Sequence, residues 1–340
     1  MPPRSWSYRA YGLSLTANRQ IPCLLTLSAD RTPVERIDLR IWFEWFPPWL
    51  ERVLAASRTI RYVSPYLDND GQPALVVWLL ADGAFYCLHY AEGVDYVLSR
   101  DTTCLWIRWS KTVAERDILS YLLGPVMGFI LRLRGTVCLH ASAVAINRRA
   151  IVFVGDVGAG KSTMAMAMGR LGYPIISDDI VPIYENAGVT YAQPGYPRMR
   201  LRQSSLPMLF DVNPELPPLP KVEGQDRLHF ELTSAGYQFQ SNALPIGGLY
   251  LLAESADPDV PRVEPLSPLD GIIRIVANTY ATRFLDKSMR AQELQELSQL
   301  VNRVAVNNVY RHREPSRLAT LCEVILEDIS ASASKAVAMR

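Results

Sequence analysis

The sequence predicts an α/β protein in two parts, a small α+β domain followed by a larger domain in which a strand, a glycine-rich loop and a helix follow one another. Its 340 residues suit about two domains of ordinary size. Short β-rich runs separated by turn tripeptides fill residues 74–109. From residue 137 the pattern changes to apolar strands followed by the segment GDVGAGKS and a helix-forming run.

Composition indicates an ordinary globular protein. Hydrophobic residues make up 49% of the chain and charged residues 20%, which argues against a disordered or collagen-like chain. Lys and Arg total 35 against 34 Asp and Glu, for a net charge of +1. A dedicated nucleic-acid binder usually has a basic excess, so no nucleic-acid partner is expected and any basic site must be local.

Cysteine usage and apolar runs predict a reduced, cytoplasmic protein without a membrane span. The five cysteines are isolated, with no CxxC pair, so neither a disulfide framework nor a zinc ribbon is indicated. The N-terminus lacks the apolar core of a signal peptide. The longest uncharged run, Ile118–Leu131, is shorter than the ~17–25 residues of a membrane helix and contains Gly124-Pro125, which predicts a buried, kinked core helix.

Residues 1–110 are predicted to form the N-terminal α+β domain. A strand-like run covers Tyr8–Leu15, and a Trp-rich stretch broken by two prolines covers Ile41–Leu50. The runs ALVVWLL, AFYCLHY, VDYVL and CLWIRW between Ala74 and Trp109 are typical of an antiparallel meander. Residues 111–135 are predicted to connect the two domains, mainly through a helix over Ala114–Leu133.

The second domain is predicted to span residues 136–329. Val137–Ile146 and Ala150–Val154 read as two strands, and Ile246–Leu252 as a later one. Prolines are dense from residue 188 to 224 and exclude a regular helix or central strand there; the segment is either a functional loop or a plain surface excursion. Three helices are predicted at the end, over Leu269–Phe284, Met289–Arg303 and Pro315–Ile329, with a flexible tail at 330–340.

The segment Gly155–Ser162, GDVGAGKS, matches the phosphate-binding pattern G-x-x-x-x-G-K-[ST] between an apolar strand and a helix-forming run. Its glycines let backbone amides face phosphate oxygens, and the helix adds its positive end. Lys161 is predicted to contact the β and γ phosphates of ATP, and the Ser162 hydroxyl to bind Mg²⁺. The alternative is a glycine-rich turn without function. The predicted nucleotide-binding residues are Gly155, Asp156, Val157, Gly158, Ala159, Gly160, Lys161, Ser162 and Thr163.

Two carboxylates, Asp178 and Asp179, follow the short strand YPIIS, which is predicted to lie beside the strand before the glycine-rich loop. Ligands of open α/β sheets bind at the carboxyl ends of strands, and phosphoryl transfer needs a carboxylate for the metal and a base for a hydroxyl. Two buried like charges would raise one pKa, which suits a base. The alternative is a capped turn of solvated aspartates. His140, within the strand Val137–Ile146, is either a core residue or a catalytic one.

The stretch LHASAVAINRRAIVFVGDVGAGKSTMAMAMGRLGYPIISDDIVPIY resembles the catalytic core of bacterial HPr kinase/phosphorylase and related proteins, some of which belong to lasso-peptide gene clusters. The resemblance covers Cys138 to Tyr184. It implies a P-loop kinase domain related to that of phosphoenolpyruvate carboxykinase. It also implies that Lys161 and Ser162 hold phosphate and Mg²⁺ and that His140 belongs to the active site. Asp179 would take the proton of a target serine, and Asp178 would support metal and water.

The sequence also departs from this family. No acidic residue stands between Glu185 and Asp211, so the family's metal-binding glutamate has no counterpart, and its HPr-contacting glycine-rich segment is missing. HPr as acceptor and the reverse reaction are therefore not predicted. The region is instead basic, with substrate candidates Arg198, Arg200, Arg202 and Arg227. These arginines either clamp a phosphate or an acidic peptide, or form the solvent face of a strand.

Three functions remain open from the sequence. The first is an ATP- and Mg²⁺-dependent serine kinase acting on a peptide or small protein, for which a lasso-type precursor peptide is one candidate. The second is a kinase for a small-molecule hydroxyl. The third is a non-catalytic ATP-binding regulatory or adaptor protein. The resemblance also allows a homo-oligomer.

Overall fold

The computed structural model describes residues 5–27, 36–68, 70–211, 215–216, 227–233, 235–254, 261–311 and 317–338. They form two compact units, the first ending at Arg134 and the second beginning at Gly135. Each unit mixes helices with a large β-sheet. Among the described residues, no helix is both long enough and apolar enough to cross a lipid bilayer.

The first unit contains an eight-stranded sheet in the order β1-β2-β3-β8-β7-β6-β5-β4. Its strands are β1 (Trp6–Ala10), β2 (Leu13–Ala17), β3 (Leu39–Phe43), β4 (Arg58–Val63), β5 (Leu75–Leu80), β6 (Phe85–Tyr90), β7 (Val94–Ser99) and β8 (Cys104–Trp109). Strands β5 to β8 form an antiparallel meander. The single strand expected over Tyr8–Leu15 is instead a hairpin, because Tyr11 and Gly12 both have positive φ and reverse the chain.

Three helices complete the first unit: α1 (Pro48–Ala55), α2 (Glu115–Tyr121) and α3 (Met127–Leu133). A π-helical turn that contains Pro125 joins α2 to α3, as expected where a proline removes a helix hydrogen bond. The Tyr96 hydroxyl donates to the carbonyl of Ile118 at 2.6 Å, and the Tyr11 hydroxyl donates to that of Leu123 at 2.7 Å. The predicted connecting helix therefore packs into the core of the first unit.

The second unit contains a nine-stranded sheet and a separate two-stranded one. The large sheet holds β9 (Val137–Leu139), β10 (Ala141–Ile146), β11 (Arg149–Val154), β12 (Ile175–Ser177), β13 (Val181–Asn186), β14 (Val189–Ala192), β17 (Leu244–Glu254), β18 (Arg262–Pro265) and β19 (Val306–Arg311); the small one pairs β15 (Arg198–Arg202) with β16 (Arg227–Glu231). The helices are α4 (Lys161–Arg170), α5 (Leu206–Leu209), α6 (Pro268–Ala277), α7 (Lys287–Arg303) and α8 (Leu318–Ala338).

Helices cover both faces of this large sheet. Phe153 of β11 is buried with Met164 of α4 and Ile325 of α8, whereas its neighbour Val152 is buried with Ile275 of α6 on the other face, as the alternation of a strand requires. Strand β10 is antiparallel to both β11 and β12, and β11, β17 and β19 are parallel. The carboxyl ends of β11, β12, β17 and β19 therefore meet the amino end of β10 at one edge.

Two expectations near this edge were wrong. Val137–Ile146 is not one strand: β9 pairs with β13 and β10 pairs with β11, so the chain changes partners at His140, whose N–H donates to the carbonyl of Asn278 at 2.8 Å. Strand β12 does not lie directly beside β11, because β10 stands between them.

Other boundaries differ further along the chain. The proline-rich stretch contains strands β14 and β15, because its prolines fall outside these two segments; its residues 212–214 and 217–226 lie outside the described residues. Helix α6 ends at Ala277, and a separate 3₁₀ turn covers Thr282–Phe284. Helix α8 continues to Ala338, beyond the predicted end at 329, while its predicted start at Pro315 and the last two residues of the tail lie outside the described residues.

Candidate functional site

A cavity of about 370 Å³ opens in the second unit at the edge where the strands' carboxyl ends meet. Its polar and glycine lining brings together residues from separate stretches of the sequence: His140, Ser142, Gly158, Gly160, Lys161, Ser162, Thr163, Asp179, Arg200, Arg202, Ser204, Ser205, Arg227, Arg311 and Arg317. Val157, Ala159, Met164, Met208, Leu252, Leu318 and Leu321 supply apolar wall. The glycine-rich loop, the second aspartate and three of the four candidate arginines therefore share one cavity.

The glycine-rich loop adopts a backbone that side chains would obstruct. Gly155 has a φ of 150°, and a Cβ atom there would lie 2.9 Å from the carbonyl oxygen of Leu252 and 3.0 Å from the Cβ of Ala159. Gly160 has a φ of 94° and immediately precedes α4, whose first residues Lys161, Ser162 and Thr163 line the cavity, so the positive end of the helix lies at the cavity wall. Gly155 and Asp156, which were also predicted to bind the nucleotide, are not among the lining residues.

The Lys161 ammonium lies beneath this loop. Its Nζ donates to the carbonyl oxygens of Gly155 at 2.7 Å and Asp156 at 2.9 Å. Burial lowers the pKa of Lys161 to about 8, although Asp179 and Asp178 act in the opposite direction. Burial thus disfavours the charged form of Lys161, and a further anion beside it would favour that form.

The two adjacent aspartates face different partners. The Oδ1 atom of Asp178 accepts the Ser142 hydroxyl at 2.6 Å, and its Oδ2 atom accepts the backbone N–H of Arg200 at 2.8 Å. Asp178 is only 6% exposed and is not among the described residues that line the cavity. Its carboxylate therefore ties β10 to β15, and its predicted role at a metal stays a prediction.

Asp179 faces the cavity among cations. Its Oδ2 is 3.0 Å from Arg200 Nη1, and its Oδ1 is 3.8 Å from Arg227 Nη1 and 3.5 Å from His140 Nε2. Burial alone would raise the pKa of Asp179, but Arg200, His140 and Arg227 outweigh it and hold that pKa well below its usual range. The expectation that one carboxylate of the pair has a raised pKa does not hold at Asp179, because Arg200, His140 and Arg227 dominate there.

The backbone explains how two adjacent carboxylates separate. Asp179 has a φ of 69°, a left-handed conformation that costs a non-glycine residue roughly 1–3 kcal/mol. It turns the Asp179 side chain toward the cavity, while Asp178 remains directed at Ser142. Such strain at a cavity wall is common at functional sites.

Strand β15 directs its arginines to one side. Met199 and Leu201 are fully buried on the opposite face, and Arg200 and Arg202 line the cavity, so the solvent-face interpretation was wrong for these two. Arg198 is different: it forms an ion pair with Glu231 and is not in the described lining. Alternation thus places all three arginines on one face of β15, and their position along the strand separates the two cavity arginines from a structural one.

The cavity is strongly cationic in a chain that is close to neutral overall. Six cationic side chains line it, and the only lining carboxylate from the described part of the chain is Asp179. The cations are Lys161, Arg200, Arg202, Arg227, Arg311 and Arg317. This charge, concentrated at a helix N-terminus and a loop of glycines, suits an anionic ligand with several phosphate groups.

Several lining residues were not predicted, among them Ser142, Arg311 and Arg317. Ser142 lies two residues after His140 in the predicted strand Val137–Ile146, and the period-two spacing of a strand was a usable signal. Arg311 ends β19 and Arg317 immediately precedes α8, but β19 itself was missed because Asn307 and Asn308 interrupt its apolar pattern. Both asparagines are buried, and Asn308 accepts a hydrogen bond from Arg274 at 3.1 Å.

The lining residues fit a nucleotide better than a metal ion held by protein side chains alone. No group of three or more His, Cys, Asp or Glu side chains among the described residues could hold a metal ion by itself. Mg²⁺ in nucleotide sites is usually held by one or two protein oxygens plus phosphate oxygens and water, and the Ser162 hydroxyl is available in the cavity wall. The open glycine cradle and the surrounding cations fit the phosphates of a nucleotide.

Similarity to known proteins is confined to solved structures. No protein-family model matches the chain, and no curated protein matches it. Among solved structures, the Hpr(Ser) kinase/phosphatase from Coxiella burnetii is similar over 59% of this chain and 96% of its own, with a TM-score of 0.33 and 9% sequence identity.

Proposed function

We propose that this chain is an ATP- and Mg²⁺-dependent kinase of the HPr-kinase-like type, which transfers the γ-phosphate of ATP to a serine hydroxyl of a peptide or small protein. The observation that carries the proposal is the common cavity of the glycine-rich loop and Asp179. A phosphate bound at the loop and a hydroxyl bound at the carboxylate would meet there. A ribosomally made lasso-type precursor peptide is one candidate acceptor.

The glycine-rich loop and Lys161 would bind the nucleotide. Amides of residues 157–163 and the N-terminus of α4 would contact phosphate oxygens, and Lys161 would exchange its loop carbonyls for the β and γ phosphates. Ser162 would hold Mg²⁺, which would supply charge neutralisation to the phosphates. Asp178 would hold β15 in position and could contribute to the metal only through water.

Asp179 would receive the acceptor's proton. Because its pKa is held low, its carboxylate is ionised throughout the physiological range and can orient a serine hydroxyl by accepting its hydrogen bond. As the hydroxyl oxygen bonds to the γ-phosphorus and ADP leaves, the proton passes to Asp179. A weak base suffices, since phosphoryl transfer proceeds through a loose transition state that relies mainly on positioning and charge. His140, 3.5 Å away, would hold the carboxylate in place.

The proposal is tested by incubating the purified chain with Mg-ATP and the peptides encoded beside its gene, followed by mass analysis. The expected result is one added phosphate on one serine of one peptide, lost in Asp179→Asn. Free serine and sugars tested as acceptors address the small-molecule alternative. Tight nucleotide binding without transfer to any acceptor would contradict the kinase proposal and favour an ATP-binding adaptor.

A further inference from the structure

Arg202 lies against the glycine-rich loop. Its Nη2 atom is 3.5 Å from the position that a Cβ atom on Gly158 would occupy, and both residues line the same cavity as Lys161. Gly158 has a φ of 91° and carries no side chain, so the guanidinium can rest directly on the loop backbone. An arginine is thereby placed on the side of the loop that faces the cavity.

The position of Arg202 is set by its strand. Met199 and Leu201 anchor the opposite face of β15 in the core with no exposed surface. The backbone N–H of Arg200 is bonded to Asp178 at 2.8 Å, which fixes the strand beside the loop. Arg202 therefore reaches the loop because the strand is held there by packing and by Asp178.

The charge of Arg202 is not balanced within the described part of the chain. Its register partner across β15 and β16 is another cation, Arg227, and like charges directly opposite each other destabilise a sheet. Arg227 has Asp179 at 3.8 Å, whereas no described carboxylate forms an ion pair with Arg202. Arg202 and Arg227 thus face each other, and Asp179 is the one described carboxylate that pairs with either of them. This excess of positive charge favours an anion that is supplied by a ligand.

We propose that Arg202 is a catalytic residue that binds the phosphoryl group while it is being transferred. This inference rests on the proposed kinase function and deepens it. The transferred group carries charge on three oxygens, and a guanidinium can bind two of them at once. Lys161 and the loop amides would hold the phosphates of ADP and ATP alike, whereas Arg202 would bind most strongly to the phosphoryl group in the transition state of its transfer.

The test compares binding of a fluorescent ADP with and without aluminium fluoride, in Mg²⁺ buffer. Aluminium fluoride beside ADP imitates the phosphoryl group in transfer. In the wild-type chain we expect fluoride to tighten ADP binding. Arg202→Ala is expected to remove about 10²-fold or more of that tightening, in line with the ~10³–10⁵-fold rate effect of such arginines, while ADP alone binds as in the wild type. Arg202→Lys should recover only part of it.

Arg198→Ala is the matched control, since Arg198 lies on the same strand but pairs with Glu231 outside the cavity lining. It should retain the fluoride effect. Unchanged ADP binding in every variant, together with thermal denaturation, establishes that the variants fold. A fluoride effect that survives in Arg202→Ala, or that is absent in the wild type, would overturn the inference, as would an equal loss of ADP and ADP-fluoride binding.

The result also separates the two proposals. A fluoride effect that depends on Arg202, in a chain that phosphorylates no peptide, would support the role of Arg202 and contradict the peptide-kinase function. A wild-type chain that binds no ADP at all would overturn both.

Discussion

The carboxylate of Asp178 accepts the backbone N–H of Arg200 at 2.8 Å, so the residue that follows β12 holds β15 beside the glycine-rich loop. Its other oxygen accepts the Ser142 hydroxyl at 2.6 Å. Asp178 thereby connects three segments of the cavity wall without lining the cavity. Its neighbour Asp179 faces the cavity cations, and this division between two adjacent aspartates leads to the first two predictions.

Asp178→Ala should destabilise the chain and reduce transfer together. It leaves a buried hydroxyl and a partly buried N–H without their acceptor, and hydrogen bonds to charged groups are worth about 1.5–3 kcal/mol each. Chemical denaturation should show a lower free energy of unfolding. The Mg²⁺ concentration for half-maximal activity should stay the same in the residual activity of Asp178→Asn. A large increase in that concentration would instead identify Asp178 as a direct metal ligand.

Asp179→Asn should abolish most transfer while nucleotide binding persists. The amide cannot take the acceptor's proton, and loss of a positioned base typically costs about 10²–10⁴-fold in rate. Single-turnover rates measured at saturating ATP separate this effect from weaker binding. Because Arg200 and Arg227 lose their shared anion, ATP affinity should rise or stay the same. A variant that transfers phosphate at the wild-type rate would rule out Asp179 as the proton acceptor.

Nucleotide binding should take up a proton above the pKa of Lys161. In the free chain this pKa is about 8, so Lys161 loses its proton as the pH rises through that value. Bound phosphates favour the ammonium and raise its pKa, so binding at higher pH returns the proton to Lys161. Calorimetry in two buffers with different ionisation enthalpies measures this uptake, which should fade below neutral pH.

Lys161→Arg is the control for that titration. A guanidinium remains protonated across the whole range, so proton uptake at high pH should disappear in this variant even if it still binds nucleotide. Equal uptake by the wild type and Lys161→Arg would show that another group titrates.

Gly155→Ala should damage the loop more than Gly172→Ala, although both glycines have positive φ. At Gly172 a Cβ would meet nothing within 4 Å, whereas at Gly155 it would lie 2.9 Å from the Leu252 carbonyl. Gly172→Ala should cost roughly the 1–2 kcal/mol of a left-handed residue. Gly155→Ala should cost more and also abolish ADP binding. Equal losses in thermal denaturation would indicate that the contact with Leu252 is unimportant.

The local parts of the site could be predicted from the sequence. Strand β11, the loop and α4 are adjacent in the chain, so Lys161 and Ser162 followed from apolar pattern and glycine spacing. Asp179 at the end of a short strand followed in the same way. The strand, the loop and the helix each follow from residues that are close together in the sequence.

The rest depends on contacts between distant segments. The low pKa of Asp179 comes from Arg200, His140 and Arg227, and the two arginines reach it because β15 pairs with β16 across a gap in sequence. The break at His140 arises because β9 and β10 pair with different strands. Strand pairing of this kind has no local signal, so the charge around Asp179 could not be predicted from the aspartate pair alone.

The central claim is that a phosphate bound at the glycine-rich loop is transferred to a hydroxyl held at Asp179. The most direct measurement is single-turnover transfer from γ-labelled Mg-ATP to the peptides encoded beside the gene, in the wild type and in Asp179→Asn with nucleotide saturating. We predict label on one serine with the wild type and nearly none with the variant. Equal labelling by both proteins, or bound ATP that never labels an acceptor, would contradict the claim.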